Sequence, residues 1–305
     1  MANYIVTGAA GFIGGALAQR LISEGHYVVT IDNLSTGFEE NIPDGVDFIQ
    51  GDCADISIYE QLPNIKYEAI FHIAGQSSGE ISFDDPIYDI RTNAESTLLL
   101  LKYALKKQCQ RFIYAGTMSV YGIVPDQAIN EEVECMPQSF YGVAKLASEH
   151  YMRIYQQYGI NSTSLRLFNV YGPGQNMLNL RQGMVSIFLA QMIESSHIHI
   201  KGSKSRFRDF VYIDDVVESF VQCLTRQKTW GESINIATGR KTTVNELTSI
   251  MLTEYNKKVT IEFTGSTEGD IHGIWACTDK MQDMLGVKDI TKLEDGLNKM
   301  LSWAV

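Results

Sequence analysis

Residues 3–14 read NYIVTGAAGFIG, and the fold turns on the eight from Thr7 to Gly14. Tyr4 to Val6 is a short β-rich run. TGAAGFIG then opens a helical pattern that lasts through Ser23. Val28 to Ile31 is a second β-rich run, and it closes on Asp32. The order is strand, glycine turn, helix, strand, acid. Gly8, Gly11 and Gly14 follow a GxxGxxG spacing. The first glycine suits a tight turn, the second lets backbone approach a pyrophosphate, and the third lets the helix pack close to the strand. The helix N-terminus offers free N–H groups and partial positive charge to phosphates. A carboxylate at the end of the second strand can accept hydrogen bonds from a ribose 2′-OH. It would repel a 2′-phosphate, so the pattern favours NAD over NADP.

Outward from this unit, strand-like and helix-like segments alternate. β-rich runs lie near 46–49, at 69–74 and at 111–115, and STSLRLFNV (162–170) reads as a further strand. Helical patterns lie near 57–62, at 92–107 and at 140–158. Such alternation predicts a parallel sheet with helices on both faces. The expected fold class is therefore α/β, a Rossmann-type doubly wound parallel sheet with a smaller α/β C-terminal substrate-binding domain. The second half is less regular. YGPGQNMLNLRQG (171–183) reads as a long functional loop. A helix at 184–195, a β-rich segment at 197–201 and a strand at 209–212 follow. Then come a helix over 214–225 starting at Asp214 or Asp215, a strand SINIAT (233–238) and a helix from Val244 to Tyr255. The division expected is a cofactor domain over 1–170, with 205–232 returning to it. Residues 171–204 and 233–305 would form the second domain.

The chain has 305 residues, of which 45% are hydrophobic and 20% charged, an ordinary globular balance. No apolar run approaches the roughly 20 residues that span a bilayer. The N-terminus lacks a basic n-region, so a cytoplasmic protein is expected. The five cysteines are scattered and form no CxxC, which suggests neither a disulfide framework nor a metal site. A net charge of −11 argues against nonspecific nucleic-acid binding.

Two further stretches carry chemistry. SFYGVAKLASEHY places Tyr141 and Lys145 four residues apart, on one helical face. An ammonium near a phenol favours phenolate, and a phenol so tuned is a competent base for a sugar or alcohol hydroxyl. The same spacing also occurs on ordinary surface helices. GTMSVYG (116–122) follows the apolar run RFIYA, which reads as a buried strand. It offers the hydroxyls of Thr117 and Ser119 around Met118, and no carboxylic acid.

Taken in order, TGAAGFIG, Asp32, Thr117, Tyr141 and Lys145 closely resemble the extended short-chain dehydrogenase/reductase family, in its NAD-dependent nucleotide-sugar epimerase and dehydratase branch, most like enzymes of the UDP-glucose 4-epimerase type. GDCAD (51–55), FHIAGQSS (71–78), LRLFNVYGPGQ (165–175), FRDFVYIDDVV (207–217) and NIATGRKTTVNEL (235–247) extend the resemblance over nearly all of residues 3–300. It implies that Gly8, Gly11, Phe12, Ile13, Gly14, Asp32 and Asn33 contact NAD. Asp52 would hold the adenine amino group beside Cys53. Ile73, Ala74, Gly75, Asn93 and Phe168 would contact the cofactor from the other side. Thr117 would bind the sugar's 4-oxygen, Tyr141 would accept and return a proton, and Lys145 would hold the nicotinamide ribose. Ser77, Ser119, Asn169, Val185, Arg208, Asp270 and Ile274 would meet a nucleotide-diphosphate sugar. Read without the family, Asn169 is equally a turn-stabilising amide, and Arg208 a surface partner of Asp209. The resemblance also implies a homodimer, built on the helices near 92–107 and 140–158.

In that branch, dehydratases place Asp and Glu directly after the catalytic Thr, and decarboxylases place a Glu second after it. Met118 and Ser119 stand there instead, and neither supplies the acid and base that eliminate water. The expected reaction is inversion at C4 of a nucleotide-diphosphate sugar, a UDP-hexose, through a transient 4-keto sugar, with reduction of a 4-keto nucleotide sugar, or epimerisation of a CDP-, dTDP- or GDP-sugar, as the alternatives. Two positions depart from the pattern. The usual Arg-x-Gly-Asp is replaced by Thr267-Glu268-Gly269-Asp270, and another basic residue, such as Arg206, Arg181 or Lys204, could compensate at the diphosphate. Ile274 leaves open whether an N-acetyl group fits, and GIWACT (273–278) reads equally as a buried strand.

Overall fold

The computed structural model describes residues 1–255, 257–265 and 271–305. The segment containing Thr267 and Asp270 lies outside these. The first half runs β1 (Asn3–Thr7), α1 (Phe12–Ser23), β2 (Tyr27–Asp32), β3 (Asp47–Gln50), β4 (Ala69–His72), α2 (Ile81–Asp84), α3 (Pro86–Ile90), α4 (Ser96–Lys106), β5 (Arg111–Thr117), α5 (Phe140–Gln156) and β6 (Asn161–Leu167). The second half runs β7 (Asn169–Tyr171), α6 (Met184–Ser195), β8 (His197–Lys201), β9 (Phe207–Arg208), β10 (Phe210–Tyr212), α7 (Ile213–Gln222), β11 (Glu232–Ile236), β12 (Thr242–Thr243), α8 (Val244–Tyr255), β13 (Thr260–Thr264), α9 (Asp279–Leu285) and α10 (Leu293–Ala304).

Seven strands form one parallel sheet in the order β11-β6-β5-β4-β1-β2-β3. Successive strands run outward from β1 in one direction to β3, and from β4 in the other. The reversal between β1 and β4 opens a crevice at the carboxyl ends of the strands, the place where such sheets bind ligands. Both faces are covered, which is why the strands read as unbroken apolar runs. Alternate residues of β1 show the division. Tyr4 and Val6 point into a core with Leu17 and Leu21 of α1 and Val216 and Phe220 of α7. Ile5 points into another with Leu100 and Leu101 of α4 and Met152 of α5.

Three expectations change. The return to the sheet runs past residue 232, because Ile234 and Ile236 are fully buried and β11 pairs in register with β6. The strand expected over 162–170 is broken at Phe168, which packs into a separate cluster with Val120, Tyr121 and Ile274, so that β7 pairs with β10 instead. The helix expected from Asp214 begins one residue earlier and ends at Gln222; both acids lie in its first turn, where they complement the helix dipole.

Candidate active site

The glycine turn builds the floor of the crevice. Gly8 has φ +79°, and its N–H donates to the Ile31 carbonyl at 2.8 Å. A Cβ there would lie 2.8 Å from the Ala74 nitrogen, and one on Gly14 would collide with the Gly8 carbonyl. α1 starts at an N-cap, Gly11, with no side chain capping its N–H groups and no acid in its first turn. Those donors stand open to an anion. Asp32 ends β2 and braces the turn: its carboxylate accepts from the Ala10 N–H at 3.0 Å and the Leu34 N–H at 2.8 Å. Thr7 ties β1 to β4. Its Oγ1 accepts from the N–H groups of Ile73 (3.1 Å) and Ala74 (3.0 Å), so its hydroxyl donates to His72 Nδ1 at 2.8 Å. His72 Nε2 then donates to Ser96 Oγ at 3.2 Å, and burial holds this histidine neutral.

A cleft of about 420 Å³ runs over this floor. Its cofactor side is lined by Gly8, Gly11, Phe12, Ile13, Gly14, Asp32, Asn33, Asp52 and Cys53, and by Ile73, Ala74, Gly75 and Phe168. Asn93 stands just behind the wall. It lies in a π turn, Arg91–Glu95, and its Oδ1 would meet any Cβ on Gly75. A glycine cradle that side chains would fill, an uncapped helix N-terminus and a strand-end acid together fit a dinucleotide.

β5 and α5 bring the reactive groups together. Thr117 ends β5, is 6% exposed, and accepts from the Ser119 N–H at 3.1 Å. Ser139 caps α5 by accepting from the Gly142 N–H at 3.1 Å. A Cβ on Gly142 would lie 2.7 Å from the Ser119 carbonyl, so the start of α5 sits directly on the turn after β5. Tyr141 and Lys145 follow on that helix, 7% and 3% exposed, and all three line the cleft. The Lys145 ammonium donates to the Ala115 carbonyl at 3.0 Å and lies 5.9 Å from the centre of the Tyr141 ring. Burial lowers Lys145 to about 8. Burial raises Tyr141 to about 12, against a hydrogen bond with Thr117 that opposes the rise. The ring is enclosed and the ammonium is turned to a carbonyl, so the chain by itself holds the proton on Tyr141.

Ser77, Ser119, Asn169 and Val185 line the opposite end. Asn169 Oδ1 is buried with no partner in the structure. Arg208 and Ile274 are not in the wall. Arg208 donates to the carbonyls of Phe207 at 2.7 Å and Ile271 at 3.0 Å, and Ile274 is fully buried behind Met118 and Phe168. GIWACT makes only isolated bridges and no strand. Asp209 is engaged with Thr238, Gly239 and Ala276. Arg181 donates to Asp84 at 2.6 Å, with Glu80 at 3.5 Å.

Sequence reasoning missed Gln76, Met118, Gln175, Asn176, Asn179 and Gln182 as lining residues. Four of them belong to the loop between β7 and α6, whose run of amides was the available signal. The loop crosses the cleft like a strap. Asn176 donates to the Thr36 carbonyl at 3.3 Å on one bank. On the other, Gln182 donates to Ser77 Oγ, and the Arg181 carbonyl accepts from Ser78 Oγ at 3.2 Å.

Fold and site together define a Rossmann-type protein of the extended short-chain dehydrogenase/reductase kind. Residues 4–237 match the model of the NAD dependent epimerase/dehydratase family. A UDP-glucose 4-epimerase of Mycolicibacterium smegmatis is 32% identical over 306 residues, covering 98% of this chain and 97% of that one. The crystal structure of a UDP-glucose 4-epimerase from Thermotoga maritima with UDP-glucose superposes with a TM-score of 0.94 at 33% identity, covering 99% of this chain and 98% of that one. A UDP-glucuronic acid 4-epimerase from Bacillus cereus, solved with UDP-glucuronic acid and NAD, gives a TM-score of 0.89 at 30% identity, with the same coverage. The chain belongs to the NAD-dependent epimerase/dehydratase family, and its cofactor is NAD.

Proposed function

We propose that the chain inverts C4 of a nucleotide-diphosphate sugar, a UDP-hexose, through a transient 4-keto sugar. One observation carries the reading: Thr117, Tyr141 and Lys145 line one cleft, and the turn beside them, Met118–Ser119, holds no carboxylate. NAD supplies the two-electron oxidation and its reversal. Tyr141 takes the proton of the 4-hydroxyl at its phenolic oxygen and returns it. Thr117 Oγ1 holds the 4-oxygen, and Lys145 supplies positive charge beside the phenol and hydrogen bonds toward the nicotinamide ribose. Positioning and preorganised charge would account for most of the rate. Asn169, Ser77, Ser119 and Val185 would orient the sugar nucleotide. Arg208 at the diphosphate, and Asp270 with it, remain part of the reading from sequence, Arg208 lying outside the cleft wall.

The proposal extends to a homodimer. Leu105 of α4 and Val143 and Ile154 of α5 are exposed apolar residues on the helices where the family resemblance sets the pairing, and Ile87 and Ile90 are exposed on α3, which packs against α5. No helix among the described residues is long and apolar enough to cross a membrane.

The test is to incubate the purified chain, without added cofactor, with a panel of UDP-, dTDP-, CDP- and GDP-sugars, following C4 configuration by proton NMR and NADH by absorbance. Interconversion of a 4-epimer pair without net NADH is the expected result. Consumption of NADH with a 4-keto sugar, and no interconversion, would replace the epimerase with a reductase.

A further inference from the structure

Asp89 is fully buried on α3, and nothing in the chemistry above uses it. Its surroundings differ from those of Asp209, the other carboxylate among the described residues with no exposure at all. Asp209 accepts on both oxygens, from Thr238, Gly239 and Ala276. Asp89 is half satisfied. Its Oδ1 accepts from Gln76 Nε2 at 2.8 Å and Asn93 Nδ2 at 3.1 Å, while Oδ2 is sealed from solvent without a partner. A buried carboxylate in that condition either takes up a proton or is offset by an opposite charge; burial raises Asp89, and a nearby cation together with the two amides opposes the rise.

The nearby cation is Lys145, which makes no ion pair or hydrogen bond with Asp89 but lies across Asn93 from it. Its ammonium makes one hydrogen bond, to Ala115, leaving two N–H groups for other partners. Asn93 and Lys145 converge on Gly75, where Lys145 Nζ lies 3.5 Å from the place a Cβ would occupy. Asn93 in turn donates to both the Gln76 carbonyl, at 3.0 Å, and Asp89. Every element packed around the ammonium can be named. β5 presents the Tyr114 ring at 4.6 Å, and α5 itself presents Tyr141. β4 presents neutral His72. Glu149, one turn further along α5, is committed to Ser164 and Arg166. Asp89 is the anion among the described residues that acts on Lys145, and it opposes the loss of the lysine's proton that burial drives.

The geometry assigns Asp89 the part of a positioning residue: a buried counter-ion that keeps Lys145 cationic, and an anchor that holds the turn Gly75–Ser78 through Gln76. The inference rests on the reading of Tyr141 and Lys145 as the proton-handling pair only for its consequence in turnover. The charge coupling itself stands apart from any substrate. Gln76 is the mechanical half of the device: its amide donates to Asp89 and to the Ser78 carbonyl at 2.7 Å, and its own oxygen accepts from the Ser78 N–H. Ser77, on the cleft wall, sits inside that clasp.

Asp89→Asn keeps the shape and the Oδ1 acceptor but removes the charge. Gln76→Ala removes the clasp and keeps the charge. The full chain, labelled with 13C-lysine, is titrated by NMR, and the Lys145 signal is assigned by its loss in Lys145→Met. In Asp89→Asn the Lys145 signal is expected to titrate about one pH unit lower, the scale of losing a nearby opposite charge, and in Gln76→Ala at the wild-type position. Coincident titrations in wild type and Asp89→Asn overturn the inference, and so does an equal displacement in both variants. Should Asp89→Asn fail to fold, reciprocity supplies the second measurement: the Asp89 carboxyl must titrate higher in Lys145→Met than in wild type, and an unchanged carboxyl overturns the inference. If no sugar is epimerised but Lys145 moves as expected, the proposed reaction falls and this assignment stands.

Discussion

The Lys145 ammonium donates to the carbonyl of Ala115 at 3.0 Å, two residues before Thr117 on the same strand. This bond sets the spacing of the site. It locks the helix that carries Tyr141 to the strand that carries Thr117, so the phenol and the hydroxyl stay side by side on the cleft wall.

Tyr141→Phe removes one oxygen from an enclosed ring. Turnover is expected to fall by about 10²- to 10⁴-fold, the range for loss of a positioned acid–base group. NAD bound per chain, read by absorbance after denaturation, is expected to stay at the wild-type level.

Thr117→Val keeps the volume but removes the acceptor for the Ser119 N–H. A loss of about 10- to 100-fold in kcat is expected, the lower reach of such groups. Thr117→Ser, which restores the oxygen, is expected to recover most of it. Steady-state rates by NMR decide the point, and equal rates in Val and Ser variants would remove Thr117 from the reaction.

Two glycines of one motif differ in what they tolerate. A Cβ on Gly14 meets the Gly8 carbonyl head-on, whereas one on Gly11 lies 3.3 Å from the same oxygen. Gly14→Ala is expected to lose bound NAD and several degrees of Tm, and Gly11→Ala to lose much less of both. Thermal melts with and without NAD would show the ordering.

Burial lowers Lys145 from 10.5 to about 8. Between those pH values the unfolded chain holds a proton that the folded chain has released, so this residue's contribution to stability rises with pH across the window. Below about 8 both states are protonated and the cost of the buried charge is paid in full. In the cofactor-free chain, the stability difference between wild type and Lys145→Met is therefore expected to shift in favour of the wild type as pH rises from about 8 toward 10. Melts over pH 6–10 test the sign.

Arg166 and Glu149 join β6 to α5 at 2.7 Å, and Arg166 also donates to the Tyr121 hydroxyl at 2.9 Å. Arg166→Leu strands Glu149 in the interior and is expected to cost about 3–5 kcal/mol, the usual penalty for breaking a buried pair. The double variant with Glu149→Leu is expected to regain much of it in denaturant unfolding.

Much of the first half was legible because local chemistry and tertiary need agree there. TGAAGFIG marks the turn, the helix does end at Ser23, and Asp32 does close β2. The helices 184–195 and 244–255 are read to the residue for the same reason. Elsewhere the deciding forces are distant. β13 alternates exposed and half-buried residues around Glu262, and its pairing with β8 comes from chain far away, so no apolar run announces it. α10 does carry its signal, Leu293, Leu297 and Met300 on one face, and α3 has Asp85 capping ahead of Pro86; both went unread. The protonation of Tyr141 was out of reach, because spacing shows which groups are neighbours but not how much water remains between them.

β11 closes the sheet beyond β6, and α7 lies against α1 with Phe220 edge-on to Phe71. The consequence concerns modularity. A chain cut after residue 204 would keep every cofactor residue, the last being Phe168, yet it would expose β6 as an unprotected edge and strip the cover from one face of the sheet. An open, apolar edge invites pairing with other chains. The nucleotide-binding half is thus not a cassette that can be spliced to a new tail. Exchanging specificity between such proteins calls for transplanting loops into an intact chain.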